Sequence, residues 1–331
     1  MRRREVITLA GGAAAAALLR PLAARAQQPA LPVVGFVDGG SLDVSAPRVA
    51  AFRKGLDETG TIEGQKVTVE YHYLEGHYDR LPALMADLVR RQVAVIATTG
   101  SAPAALAAKA ATATIPIVFG IGEDPVRLGL VASLARPGGN ATGINFFFTE
   151  VLAKRLRLLH DLVPKAVRIA VLVNPANAST AEPTVREVQA AAPAMGLQIQ
   201  ILNATTIGEI DAAFATLARE HPDALYVAPD AFFTSRRVQF VTLTARERIP
   251  ASYAARELVT AGGLMSYGTD LADTYHQIGV YTGKILLGAK PADLPVVQET
   301  KFEFVINMQT ARALGIEVPP GVLSIVDAVV E

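Results

Sequence analysis

Short, continuously apolar runs alternate with segments of helical apolar spacing along this chain, and the alternation occurs twice. Pro32-Val33-Val34-Gly35-Phe36-Val37 reads as a strand buried on both faces, broken by Asp38-Gly39-Gly40. Helical spacing follows over residues 47–59, with Val49, Phe52 and Leu56 on one side. Residues 67–73 alternate as a strand, and Asp79 is placed to cap a helix carrying Leu81, Leu84, Met85, Leu88 and Val89. A strand at 93–97, a helix opening near Ser101 and a strand at 116–119 complete the first run. The second has strands at 168–173, 198–202 and 224–227, interleaved with helices through Val185 and Val188, over 207–219 and over 235–247. Such alternation builds parallel sheets with helices on both faces. The expected fold class is therefore α/β: two similar Rossmann-like lobes with parallel sheets, joined by a hinge.

The 331 residues exceed what one hydrophobic core usually serves. The expected division gives one lobe residues 31–145 with about 268–290, and the other 146–267 with about 300–331. Pro137-Gly138-Gly139-Asn140 with Gly143, and Gly262-Gly263 with Gly268, interrupt the pattern at the boundaries of the two halves. Glycines can absorb the backbone rotation of a hinge, so these breaks are its expected place.

Residues 1–26 read as an export signal. Arg2-Arg3-Arg4 precede a mildly apolar run from Val6 to Leu19, and the segment closes on Ala24-Arg25-Ala26. Arg3-Arg4-Glu5-Val6-Ile7 resembles a twin-arginine signal, and the weak Gly/Ala-rich core with Arg20 and Arg25 favours that route. The run is too short for a membrane span, which needs roughly 20 apolar residues. Cleavage is expected after Ala26, leaving the protein free in the periplasm.

That cleavage would remove five arginines and one glutamate, turning a formally neutral chain mildly acidic. Nucleic acid, which demands a basic face, is an unsuitable partner. With no cysteine, the chain has no disulfide, thiol nucleophile, zinc–thiolate site or cysteine-borne lipid anchor. The five histidines (72, 77, 160, 221, 276) are scattered and form no metal-ligand pattern. No G-x-S-x-G elbow, phosphate-cradling loop or dinucleotide fingerprint follows a strand. Neither cofactor, metal nor catalytic residue is expected.

In open parallel sheets, ligands bind beyond the carboxyl ends of the strands. Those ends carry Asp38-Gly39-Gly40-Ser41, Thr98-Thr99-Gly100-Ser101, Gly120-Ile121-Gly122-Glu123-Asp124, Asn174-Pro175 and Asp230-Ala231-Phe232. Thr98, Thr99 and Ser101 put hydroxyls at a helix start, and Gly100 lets backbone approach a ligand, a combination suited to a carboxylate or to helix capping alone. Asp124 and Asp230 could answer an ammonium, while Phe232, Tyr253 or Tyr267 cover an apolar body.

Several segments at these strand ends resemble the periplasmic substrate-binding proteins of ABC importers, in the branch that includes tryptophan- and phenylalanine-binding members. They include Ala97-Thr98-Thr99-Gly100-Ser101-Ala102-Pro103, Asp124-Pro125-Val126, Val173-Asn174-Pro175, Gly263-Leu264-Met265-Ser266-Tyr267-Gly268 and Phe304-Val305-Ile306-Asn307. Arg136-Pro137-Gly138-Gly139-Asn140-Ala141-Thr142-Gly143 is the most specific, and the resemblance spans nearly all of 31–330. It implies a type I periplasmic binding protein that closes on a small solute and delivers it to a membrane permease with its ATPase. It carries a cleft role to Thr98, Gly100, Ser101, Asp124, Asn174, Asp230 and Tyr267. The chain departs from the aromatic-amino-acid binders at Ala228-Pro229-Asp230-Ala231-Phe232-Phe233, where a Phe-Phe pair stands in place of smaller polar residues. An exported α/β enzyme and a sensor subunit for a membrane receptor are the alternatives.

Overall fold

The computed structural model describes residues 30–146 and 151–331; the expected export signal at residues 1–26 lies outside the described residues. Strands β1 (Val33–Asp38), β2 (Thr68–Tyr73), β3 (Val95–Thr99), β4 (Ile117–Ile121) and β5 (Ala141–Asn145) form one sheet. Strands β6 (Arg168–Val173), β7 (Gln198–Asn203), β8 (Ala224–Val227), β9 (Ala251–Tyr253) and β10 (Met265–Thr269) form another. Later, β11 (Val297–Gln298) joins the first, while β12 (Phe302–Asn307) and β13 (Ala328–Val330) join the second. The orders are β11-β5-β4-β3-β1-β2 and β13-β12-β10-β9-β8-β6-β7.

The apolar runs become strands because helices cover both faces of each sheet. On one face of the first sheet Val37, Ile96 and Phe119 pack with Leu81, Met85, Leu88 and Ala108. On the other, Val34, Phe36, Val95 and Val118 meet Phe52, Leu56 and Ile278. The second sheet is sandwiched in the same way, by one cluster around Leu156, Val171 and Phe304 and another around Phe214, Leu225 and Phe240. Parallel registers bring strand ends level: Asp38 pairs with Tyr73 on one side and Thr99 on the other, and Thr99 pairs with Gly120.

The chain passes between the sheets three times: between Asn145 and Leu152, between Thr269 and Leu271, and between Gln298 and Phe302. These passages are tied together. Thr269 Oγ1 donates to the Phe146 carbonyl at 2.9 Å, and the Glu299 N–H donates to the Asn145 carbonyl at 2.8 Å. The last passage explains a departure from all-parallel pairing. Because β10 ends at the passage where β12 begins, β12 must run back along it, and the two pair antiparallel.

Two of the glycine breaks lie in strands that end at the crossings, Gly143 in β5 and Gly268 in β10. A Cβ on Gly143 would lie 2.0 Å from the Phe119 carbonyl oxygen, and one on Gly268 would lie 2.0 Å from that of Ala254. Close approach of neighbouring backbone requires glycine there, which makes these points rigid rather than pliant. Asp79 is a second correction. It lies in the 3-10 turn Tyr78–Arg80, and the helix Leu81–Arg90 starts after Arg80 without a side-chain cap. Pro82 sets that start, since its fixed φ and missing N–H suit the first turn. Among the described residues no helix is long and apolar enough to cross a membrane.

Candidate ligand-binding site

Strand ends and helix starts from both lobes enclose a cavity of about 100 Å³. The first lobe contributes Asp38, Arg48, Gly100, Glu123 and Tyr275, among others; the second contributes Arg155, Asn177, Thr180, Asp230 and Tyr267. The lobes are drawn together across it by polar contacts. Thr180 Oγ1 donates to Glu123 Oε1 at 2.5 Å, and Tyr78 Oη reaches Asp230 Oδ2 at 3.4 Å. Arg48 pairs with Glu257, and Arg237 pairs with Asp43 at 2.8 Å.

Three carboxylates line the cavity. Asp38, at the end of β1, accepts from Gly40 N at 2.7 Å, Ser45 Oγ at 2.9 Å, Thr99 Oγ1 at 2.9 Å and Tyr275 Oη at 2.7 Å. Asp230 follows β8 and accepts from Asn174 Nδ2 at 3.1 Å, Asn177 Nδ2 at 2.9 Å and the Phe232 N–H at 3.0 Å. Burial pushes the Asp230 carboxyl above its ordinary value, against the amides of Asn177 and Asn174, which favour the charged form. Burial likewise raises Glu123, opposed by the hydroxyls of Thr180 and Ser179.

Against these acids stand two buried guanidinium groups. Arg48 is raised: burial opposes its charge, but Glu257, Tyr275 and Asp38 outweigh that effect. Arg155 has no such compensation. It is 1% exposed, stacks on Tyr226 with Cζ 4.0 Å from the ring centroid, and gives one Nη2 bond of 2.9 Å to the Val227 carbonyl. Its Nε and Nη1 have no hydrogen-bond partner, and no acid lies within ion-pair distance among the described residues. Burial consequently lowers its pKa, partly offset by Tyr226. A buried ion without partners costs several kcal/mol even after relaxation, roughly speaking.

The expected site residues divide into three groups. Asp38, Gly100, Asp230 and Tyr267 line the cavity. Thr99, Ser101 and Asn174 stand behind it: Thr99 bonds Asp38, Ser101 caps the helix Ala102–Ala111 through Ala104 N at 3.2 Å, and Asn174 holds Asp230. Gly39 does not line it, but a Cβ there would meet Ala231 and Ser101 at 3.0 Å, so the lobes close against its backbone. The rest lie elsewhere. Thr98 is buried within β3. Tyr253 is a core residue, fully buried and 3.4 Å from Thr244 Oγ1. Phe232 packs beside Phe233 and under Gly76 of the first lobe. Asp124 is exposed and caps the turn through Val126 N and Arg127 N; its neighbour Glu123 is the acid that lines the cavity.

Arg155 and Arg48 were not among the expected residues. A signal for Arg155 exists: on the helix Leu152–Leu162 it falls at the i, i+3, i+4, i+7 spacing of Leu152, Leu156 and Leu159, a charge within an apolar stripe.

Comparison with known proteins agrees with this geometry. The family model described as "ABC transporter substrate binding protein" matches residues 31–330. A tyrosine-binding protein of Clostridioides difficile (strain R20291) is 27% identical over 266 residues, covering 80% of this chain and 76% of that protein. An ABC domain from Streptococcus pneumonia, solved in complex with L-Trp, superposes with a TM-score of 0.81 at 26% identity, covering 91% of this chain and 100% of that one. A conserved domain protein from Vibrio cholerae O1 biovar eltor gives 0.82 at 26% identity over 90% of this chain and 99% of that one. With two α/β lobes flanking a cavity that carries acids and arginines, and a family match over nearly the whole folded body, this chain belongs to the ABC transporter substrate-binding proteins.

Proposed function

We propose that this protein is the periplasmic solute-binding component of an ABC importer, which captures a carboxylate-bearing solute, an amino acid, by closing its lobes. Arg155 supports this most directly, as a buried guanidinium at the cavity with two of its nitrogens unpartnered. Buried donors are normally satisfied, and a guanidinium presents its N–H groups in a fork that matches a carboxylate. Glu123 and Asp230, raised by burial, suit the ammonium of the same solute. Relatives that bind tyrosine and tryptophan favour an amino acid. The lobes that close are residues 31–145 with about 271–298 and residues 152–269 with about 302–331, and the partner is a permease with its ATPase. Export under the N-terminal signal fits the family.

Calorimetric titration of residues 27–331 with amino acids tests this, using Arg155→Gln beside the wild type. Binding should weaken at least tenfold, about 1.4 kcal/mol. The ligand-free variant should be at least as stable as the wild type, because a buried unpaired charge is gone. Unchanged affinity would remove Arg155 from the site, and no binding by any amino acid would overturn the reading.

A further inference from the structure

We propose that the solute is a small α-amino acid, of the size of glycine, alanine or serine, rather than an aromatic one; this rests on the capture reading above. The closed cavity measures about 100 Å³. An apolar cavity of ~150 Å³ in a protein core binds benzene. A phenol or indole ring joined to an amino-acid backbone therefore exceeds the space beneath these lobes.

The walls that set this volume are closed-state contacts. On one side Arg48, paired with Glu257, separates the cavity from a groove of about 440 Å³ that it also lines. On another, Glu123, held by Thr180, separates it from a second groove of about 430 Å³. A larger solute finds room only past one of these contacts. Reaching it means parting a half-buried ion pair or leaving a buried carboxylate without its donor, and either is unfavourable. Among the described residues Phe146 is the largest purely apolar side chain on the wall, and it occupies space that a larger solute side chain would need.

The polar groups specify both ends of such a solute. Arg155 lines the cavity with a guanidinium suited to a carboxylate, and the cavity's three carboxylates favour an ammonium beside it. Glycine, alanine and serine carry both charges in the least volume.

Calorimetry with glycine, L-alanine, L-serine, L-tyrosine, L-tryptophan and acetate decides this, on the wild type and on Phe146→Ala. The small amino acids should bind the wild type at least tenfold more tightly than tyrosine or tryptophan, and acetate, which lacks the ammonium, should bind more weakly than glycine. Phe146→Ala should narrow the gap between alanine and tyrosine. Tyrosine or tryptophan binding the wild type as tightly as alanine would overturn the size inference while leaving capture intact. Acetate binding as tightly as glycine would overturn the zwitterion assignment, and failure of every probe would overturn both this inference and the capture reading.

Discussion

Glu123 shows how a buried acid at the cavity can weaken the fold that holds it. Burial raises its carboxyl above the ordinary 4.5. The folded protein thus holds this proton more tightly than the unfolded chain does. That contribution favours folding below about pH 4.5 and is lost as pH rises through the raised value. Near neutral pH the ionised group costs stability, which an ammonium in the cavity would recover. Glu123→Gln should therefore raise the Tm of ligand-free protein by a few degrees near neutral pH and flatten its decline as pH rises above about 4.5. The same variant should bind an amino acid more weakly. Thermal melts across that pH range check this, and a lowered Tm with unchanged affinity would contradict it. At this scale the sequence was only partly legible. Strand ends pointed to Asp38, Gly100 and Asp230 because a parallel sheet presents those ends to a cleft. They could not separate Glu123 from Asp124, since which of two adjacent acids turns inward depends on the opposing lobe. Arg155 was missed because it comes from a helix beside the passage between lobes, not from a strand end.

Elements that meet only when the lobes close carry the affinity. Thr180, on the helix Ala178–Ala191 of the second lobe, supplies a hydroxyl to the buried Glu123 of the first. Thr180→Val keeps the shape and removes the donor, and an unsatisfied buried group costs about 1–3 kcal/mol. The Kd should rise about 5- to 150-fold by that range, with little change in the fold of either lobe. Titration calorimetry beside circular dichroism checks this, and an unaltered Kd would show that the contact does not set closure. Element by element, the apolar runs were read well because strands covered on both faces have continuous apolar sequences. The aromatic pair Phe232-Phe233 was harder. A helix start at a strand end can hold either core or ligand wall, and here it packs into the core. The glycine breaks suggested a hinge; close backbone approach explains Gly143 and Gly268, and the chain crosses just beyond them.

For the whole molecule, two sheets joined by three passages allow rotation of one lobe against the other while each core stays intact. A solute can drive that rotation only by binding the closed form better than the open one. On the proposed reading Arg155 in one lobe and Glu123 in the other supply that difference, because both line the same cavity. The absence of cysteine from the sequence lets two labels be placed without removing native thiols. Arg90→Cys on the first lobe and Arg219→Cys on the second give exposed positions for a donor and an acceptor dye. The most direct measurement is the energy-transfer distance between these labels, followed through a titration with the tightest-binding amino acid. Capture by closure predicts that the distance distribution shifts between two states and saturates at the solute concentration that saturates the calorimetric heat. Saturating heat with an unmoved distance distribution would contradict it.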